Sequence, residues 1–140
     1  MTIERMEERH IEDIAAIEKA CFRHPWSADG LREELGCGHF LAAVEDGVTV
    51  GYVGCQTVLD EGYITNVAVL PAFRRRGIAE RLLGALLEQA EGLSFVTLEV
   101  RESNRPAAAL YEKMGFSRVG VRKKFYTEPT EDAILMTRYF

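Results

Sequence analysis

Residues 64–87 read ITNVAVLPAFRRRGIAERLLGALL, and this stretch decides the fold. Residues 64–70 are mostly apolar, which predicts a buried strand, and Pro71 predicts a turn directly after it. Beyond Gly77, apolar residues recur at spacings of three and four, which predicts an amphipathic helix. Its buried side would carry Ile78, Leu82, Leu83, Leu86 and Leu87. The stretch is therefore a strand, a basic loop and a helix in direct succession.

The loop between this strand and this helix has the features of an anion-binding site. At the start of the helix the backbone N–H groups of residues 75–80 would lack carbonyl partners, and the helix dipole adds about half a positive charge there. Gly77 keeps the backbone accessible, and Arg74, Arg75 and Arg76 supply cationic donors around it. A diphosphate group fits this description. A basic helix start that merely faces solvent is the disfavoured alternative, because three arginines repel the dipole unless an anion neutralises them.

The spacing of the loop excludes two common phosphate-binding motifs. The chain contains neither Gly-x-x-x-x-Gly-Lys-Ser/Thr nor Gly-x-Gly-x-x-Gly. The run Arg74-Arg75-Arg76-Gly77-Ile78-Ala79 instead resembles the Gln/Arg-x-x-Gly-x-Gly/Ala loop of the GCN5-related N-acetyltransferases, and the preceding Asn66-Val67-Ala68-Val69 and Pro71 strengthen that resemblance. In that family the loop holds the pyrophosphate of acetyl-coenzyme A.

Length and charge narrow the class of protein. A chain of 140 residues with 47% hydrophobic content can bury one good core, so we expect a single domain over residues 1–140. A net charge of −5 argues against nucleic-acid binding and weakly favours a cationic acceptor. The three cysteines show neither disulfide nor zinc spacing, and we expect no metal. No signal peptide or membrane span is apparent, so a cytoplasmic location is expected.

The remaining periodicity predicts an α/β fold with a mixed sheet. Ser27 could cap a second helix, Asp46-Gly47 predicts a hairpin turn, and Gly62 would separate that hairpin from the strand at Ile64. Antiparallel strands followed by strand-helix-strand-helix predict a central, mostly antiparallel sheet covered by helices on both faces. Strands are expected at residues 2–6, 39–45, 49–59, 94–101, 116–125 and 133–139, and helices at 9–21, 28–35 and 104–114.

Three residues in or after the 94–101 strand could carry chemistry. Transfer of an acetyl group from a thioester to an amine needs a base for the amine, a donor for the oxyanion and an acid for the departing thiolate. Glu99 is the candidate base, since apolar neighbours would disfavour its charged form; an ion pair with Arg101 or Arg122 is the alternative. Tyr111 could supply the acid or simply pack in the core. Asn104 could bind a cofactor, cap its helix, or both.

The second half of the chain extends the family resemblance. Asn104, Leu110, Tyr111, Gly115 and Phe116 look like the second acetyl-coenzyme A motif of the N-acetyltransferases. More narrowly, the whole chain resembles the bacterial ribosomal-protein alanine N-acetyltransferases. The matches include Pro25-Trp26-Ser27, Leu98-Glu99-Val100-Arg101, Ser103-Asn104, Leu110-Tyr111-Glu112, Arg122-Lys123, Tyr126 and Glu131-Asp132-Ala133.

The resemblance implies a fold, a reaction and a set of site residues. The fold would contain a parallel, splayed strand pair with acetyl-coenzyme A between the strands. Glu99 would be the general base and Tyr111 the general acid. The coenzyme would be held by the backbone of Val67, Ala68 and Val69, by Arg74, Arg75, Arg76, Gly77, Ile78, Ala79 and Glu80, and by Asn104. Two departures stand out: Ala79 replaces a glycine that the family pattern also allows to be alanine, and Phe125 lacks a hydroxyl often found there.

The implied substrate is the free N-terminal α-amine of a protein, with alanine of a small-subunit ribosomal protein as the specific expectation. The amine would enter beside Tyr126 and Trp26, a residue that could equally be a core plug. Two alternatives stay open at the level of sequence. One is acetylation of a small-molecule amine or a lysine; the other is a non-catalytic acyl-coenzyme A sensor, which retention of both Glu99 and Tyr111 disfavours.

Overall fold

The computed structural model describes residues 1–140 and contains four α-helices and seven strands. Their order along the chain is β1 (Thr2–Arg5), α1 (Glu8–Cys21), α2 (Ala28–Arg32), β2 (His39–Glu45), β3 (Val48–Val58), β4 (Glu61–Val69), a 3-10 turn (Pro71–Phe73), α3 (Ile78–Gln89), β5 (Phe95–Arg101), α4 (Arg105–Lys113), β6 (Ser117–Tyr126) and β7 (Glu131–Tyr139).

The seven strands form one mixed sheet in the order β1-β2-β3-β4-β5-β7-β6. Every neighbouring pair is antiparallel except β4 and β5, which run parallel. Helices α1 and α2 pack on one face of the sheet, and α3 and α4 pack on the other. The predicted fold class is therefore confirmed.

The parallel pair β4–β5 is short and opens into a V. Its register runs from Glu61 opposite Phe95 only as far as Tyr63 opposite Thr97. Directly beyond that point, Thr65 is an extra residue in β4 that has no counterpart in β3. Such a bulge bends its strand and increases the local twist, so β4 turns away from β5. The divergence leaves a cleft between residues 64–69 and 98–101.

The helix that follows the basic loop forms the centre of the larger core cluster. All five of its predicted inward-facing residues are buried, as the spacing indicated. They pack against alternate residues of β5 from the same side, Val96, Leu98 and Val100. On the opposite face of the sheet, a smaller cluster joins α1 to β2 and β3. The loop that the sequence predicts to bind an anion is thus attached to a helix that the core holds rigidly.

Gly62 does not separate the hairpin from the next strand, as the sequence suggested, but lies inside β4. The turn falls at residues 59–60, where Leu59 has a positive φ of 54°. Gly62 is needed for a different reason. A Cβ at this position would lie 3.0 Å from Leu93 Cδ1 and 3.1 Å from Val96 Cγ2. The absent side chain lets β5 pair closely with β4.

The second helix is shorter than predicted, because α2 ends at Arg32 rather than Leu35. Residues 33–37 continue in tighter turns, in which Glu34 N–H donates to Leu31 O and Leu35 N–H donates to Arg32 O. The predicted cap is present, since Ser27 Oγ accepts from Gly30 N–H at 3.0 Å. None of the helices has the length and apolar character needed to cross a membrane.

Leu83 offers a test of the packing that supports the loop. Its side chain is fully buried between α3 and the sheet. Leu83→Ala is expected to lower the free energy of unfolding by about 3 kcal/mol, because it leaves a cavity that the sheet cannot fill. Urea unfolding measures the loss. Leu59→Ala is the matched control: that side chain is 93% exposed, and its loss should stay within about 0.5 kcal/mol. Equal losses in the two variants would contradict this packing.

Candidate active site

The start of α3 presents a row of unpaired backbone donors. The N–H groups of residues 75–80 donate to no acceptor in the protein, and the first helical bond runs from Arg81 N–H to Gly77 O at 3.1 Å. Arg75 and Gly77 both have positive φ angles, of 64° and 75°, which curl the loop around these donors. A cavity of 410 Å³ lies against them. The geometry suits an anionic group of diphosphate size.

The three arginines of the loop differ in their partners. Arg74 Nε donates to Val69 O at 3.0 Å, and Arg76 Nη1 pairs with Glu45 Oε2 at 3.0 Å while its guanidinium lies over the Phe73 ring. Arg75 forms no hydrogen bond or ion pair with any other residue. The sequence could not show which of the three arginines have partners within the protein. In the structure Arg74 and Arg76 stabilise the loop, and Arg75 is the one without a partner.

The other predicted residues of this loop contribute in different ways. Ile78 is buried in the core, so only its backbone N–H faces the cavity. Ala79 lines the cavity, and Glu80 forms an ion pair with Lys113 of α4 at 2.5 Å. That ion pair ties the start of α3 to α4 across the cavity.

Three cavities follow the cleft from this loop toward β5. The cavity at the loop shares Val69 and Ala79 with a second one of 580 Å³, which lies between β4 and α4. The second shares Val67, Asn104 and Tyr111 with a third of 470 Å³, which lies between the separated ends of β4 and β5. The three cavities thus lie end to end with shared lining residues, and this row of cavities is called the channel.

The wall of the channel on the β4 side presents backbone groups. Leu70 N–H donates to Val50 O of β3 at 2.9 Å. Because successive residues of a strand direct their backbone groups to opposite sides, those of Val67 and Val69 face the channel, while those of Ala68 face β3. The N–H and C=O groups on this wall have no partner in β5, because the two strands are no longer paired here.

Glu99 lies at the far end of the channel, and both of its carboxylate oxygens have partners. Its side chain is 5% exposed and pairs with Arg122 Nη1 at 3.0 Å. The Tyr63 hydroxyl donates to the other oxygen. The sequence left an ion pair open as the alternative to a base; the pair forms with Arg122 and not with Arg101. Its immediate partners are thus polar, where the sequence suggested apolar ones.

Tyr63 is a site residue that sequence reasoning missed. It contacts Glu99 because β4 and β5 run parallel with Tyr63 opposite Thr97, two residues before Glu99 on the same face of the sheet. Only a known strand register could have revealed it. Burial, followed by the hydrogen bond to Glu99, raises the pKa of the Tyr63 hydroxyl, so it stays protonated and donates to the carboxylate.

Tyr111 lies on α4 at the junction of two cavities of the channel. Its ring packs 5.9 Å from that of Phe116, so both readings from the sequence, core packing and a site phenol, describe the same side chain. Burial, with a smaller effect of Tyr126, raises the pKa of Tyr111 to about 12. The phenol is therefore a neutral proton donor at any physiological pH.

Asn104 likewise combines the two roles that the sequence left open. Its Oδ1 caps α4 by accepting from Ala107 N–H at 3.3 Å, and the residue lines the channel. Trp26 packs 6.2 Å from the Phe40 ring and also lines the cavity that contains Glu99. Tyr126 lines the same cavity from the opposite side.

A buried polar network behind the channel was also missed. Glu18 of α1 is fully buried, and its carboxylate accepts from Trp26 N–H at 2.8 Å, from the Tyr52 hydroxyl at 2.7 Å and from Asn66 Nδ2 at 2.7 Å. The network holds the loop after α1 against β4. A signal existed in the sequence, because Glu18 follows Ile11 and Ile14 by seven and four residues on the apolar stripe of α1.

The sequence was compared with protein families and with individual proteins of known name. Residues 11–116 match the model of the acetyltransferase (GNAT) family. The chain belongs to the GNAT family. A relative from Haemophilus ducreyi, named as a ribosomal protein bS18-alanine N-acetyltransferase, is 38% identical, with 98% of this chain and 99% of the relative aligned. A Bacillus subtilis relative with the same name, given as putative, is 35% identical over 96% of this chain and 92% of its own length.

Solved structures support the same family. The crystal structure of the ribosomal-protein-S18-alanine N-acetyltransferase from Escherichia coli superposes with a TM-score of 0.90 at 33% identity, covering 99% of this chain and 92% of that one. The chain therefore shares its fold with an N-acetyltransferase of known structure over nearly its full length.

The raised pKa of Tyr111 predicts its behaviour in alkali. Free tyrosine is half ionised near pH 10, whereas Tyr111 should stay protonated until about pH 12. At pH 10.5 the phenolate absorbance near 295 nm should therefore be the same for the wild type and Tyr111→Phe. An equimolar solution of N-acetyltyrosinamide at the same pH is the control, because an ordinary phenol ionises near pH 10. A loss of that size in the Tyr111→Phe variant would show an accessible, ordinary phenol.

Proposed function

We propose that this GNAT protein transfers the acetyl group of acetyl-coenzyme A to the free N-terminal α-amine of a protein, with the N-terminal alanine of ribosomal protein bS18 as its substrate. The observation that carries the proposal is the channel, which joins an anion-binding helix start to a buried carboxylate. The names of relatives at 35% and 38% identity over nearly the full length support the choice of substrate.

The channel matches acetyl-coenzyme A from end to end. The pyrophosphate would accept hydrogen bonds from the N–H groups of residues 75–80 and contact Arg75. The pantetheine amides would pair with the backbone of Val67 and Val69, in the manner of an added strand. Asn104 would contact the same arm from the opposite wall. The thioester would then lie between Tyr111 and Glu99.

The reaction follows from the groups at that end of the channel. Glu99 takes a proton from the α-ammonium, directly or through water, and the free amine attacks the thioester carbon. The backbone N–H of Val67, which lines the cavity that contains Glu99, donates to the oxyanion that forms. As the intermediate collapses, the carbon–sulfur bond breaks and Tyr111 gives its proton to the thiolate. As the amide forms, the attacking nitrogen gives up its second proton, which restores Tyr111 through solvent, and Glu99 releases the first proton to solvent. The products are an amide, coenzyme A and one proton.

An α-amine suits this site better than a lysine does. The ordinary pKa of an α-amine is near 8, against about 10.4 for lysine, so at pH 7 roughly a tenth of α-amines but under about a thousandth of lysines are already neutral. Two hydrogen-bond donors stabilise the Glu99 carboxylate and make it a weak base. Such a base removes a proton more easily from an α-ammonium than from the less acidic ammonium of lysine. The rate should therefore rise with pH through the range in which the α-amine loses its proton.

The test of the proposed function is release of free thiol from acetyl-coenzyme A in the presence of defined acceptors. The panel contains peptides with free N-terminal alanine, serine or methionine, an N-blocked lysine peptide, and spermidine. Turnover should be confined to free N-termini and be fastest with alanine. Turnover only with spermidine or the lysine peptide would show that the acceptor is not an N-terminal α-amine. Binding of acetyl-coenzyme A without turnover would indicate a non-catalytic sensor.

The base assignment predicts a specific loss in Glu99→Gln. Its kcat should fall about 10²-fold or more, the usual contribution of a general base. Arg122→Gln is the matched control, because it breaks the same ion pair and leaves the carboxylate in place; its kcat should fall much less. Initial rates with the alanine peptide between pH 6 and 9 make the comparison. A Glu99→Gln enzyme with full activity across that range would exclude Glu99 as the base.

The anion site predicts a complementary loss in Arg75→Gln. The KM for acetyl-coenzyme A should rise about tenfold, as expected for one charge-assisted hydrogen bond to phosphate, while the KM for the peptide stays constant. Arg81→Gln, on α3 beyond the row of free donors, should change neither constant. A rise in the peptide KM alone would place Arg75 on the acceptor side.

A further inference from the structure

We propose that Arg101 is a positioning residue for the acceptor: it fixes the loop of residues 127–130, and with it Tyr126 and Glu128, as one wall of the amine entrance. The proposal rests on the proposed function, because that function places the acceptor at this end of the channel. Arg101 is the last residue of β5, two positions after Glu99 on the same face of the strand. Its side chain is 31% exposed.

Arg101 binds the loop mainly through main-chain carbonyls. Its Nη1 donates to Pro129 O at 3.0 Å, and its Nη2 donates to Thr127 O at 3.2 Å. These carbonyls lie in the connection between β6 and β7, beyond the last pair of that ladder, Tyr126 opposite Glu131. No strand is available to satisfy them there. A planar guanidinium can donate to several such acceptors at once.

The same guanidinium has a ring and a carboxylate as further partners. Its central carbon lies 4.4 Å from the centroid of the Tyr126 ring, a cation–π distance. Its Nη1 also pairs with Glu131 Oε1 at 3.2 Å, and Glu131 Oε2 accepts from Ser103 N–H at 2.5 Å. Ser103 precedes the cap of α4. Arg101 thus connects the loop both to β5 and to the start of the helix that carries Tyr111.

The far side of the loop contacts the opposite wall of the entrance. Glu128 Oε2 lies 3.3 Å from His24 Nε2 and 3.6 Å from Arg23 Nη1, in the loop after α1. All three side chains are more than half exposed, so these pairs alone would hold the loop only weakly. The fixed attachment is therefore the one through Arg101. It sets how far Tyr126 and Glu128 stand from His24 and Trp26, and so the width of the entrance.

Arg101 is remote in function from the coenzyme end of the channel. It forms no hydrogen bond or ion pair with residues 67–80, and it is absent from the lining of the two cavities near α3. A change at Arg101 should therefore affect the acceptor and spare the coenzyme. A general loss of stability would change the KM for both substrates, whereas the proposed role of Arg101 changes only the KM for the acceptor.

Steady-state kinetics of Arg101→Gln and Arg101→Lys test the proposal. In Arg101→Gln the KM for the alanine peptide should rise about tenfold, while the KM for acetyl-coenzyme A stays within about twofold. Arg101→Lys keeps the positive charge but loses the planar guanidinium that donates to several acceptors. Its KM for the alanine peptide should therefore lie between those of the wild type and Arg101→Gln. Arg118→Gln is the matched control, since that arginine pairs only with Glu112 on the surface. An unchanged peptide KM, or an equal rise in both constants, would overturn the proposal.

Hydrogen–deuterium exchange gives a readout that needs no activity. The Ser103 amide, which donates to Glu131 Oε2, and the amides of the last ladder pair, Tyr126 and Glu131, should exchange at least about tenfold faster in Arg101→Gln, whereas those of α3 should keep the wild-type rate. Unchanged exchange at these amides would overturn the proposal even if the kinetics had shifted. If the wild type acetylated no N-terminal peptide, the proposed function would fail, and the exchange experiment would still decide the role of Arg101.

Discussion

The separation of β4 from β5 is the constraint on which the rest of the structure depends. Two parallel strands normally satisfy each other's backbone groups, and here they stop doing so after Tyr63 and Thr97. The extra residue Thr65 turns β4 away from β5, while the buried residues of β5 stay packed in the larger core cluster. The backbone groups of Val67 and Val69 are left without a partner strand on that side, and the buried Glu99 borders the cleft between the two strands.

The basic loop and the cleft belong to one continuous piece of chain. β4 supplies the wall of the channel, the 3-10 turn reverses direction, and α3 begins with its free N–H groups aimed back along the same wall. Arg74 reinforces this reversal by donating to Val69 O. The geometry is stable because α3 is held by five buried side chains in the larger core. The row of free N–H groups and the β4 wall of the channel therefore belong to the same rigid unit.

Much of this unit could be predicted from the sequence, because it depends on local chemistry. Periodicity identified the buried face of α3, Gly77 and the arginines indicated the anion site, and Ser27 and Asn104 were identified as helix caps. The residues that were missed, left undecided or given another role depend on contacts between distant segments. Tyr63 meets Glu99 only through the strand register, Arg122 only through a strand two places away in the sheet, and Gly62 is explained by close packing against Leu93 and Val96 rather than by a turn.

The short parallel pairing has a mechanical consequence. Strands β1–β4 and β5–β7 form two half-sheets that share only three paired residues on each side of the junction, so the junction is also a joint. A ligand that hydrogen-bonded to β4 while resting against α4 and β5 would span this joint and stiffen it. Binding of such a ligand would favour one angle between the half-sheets, and because such coupling is reciprocal, that angle would in turn raise the affinity for the ligand.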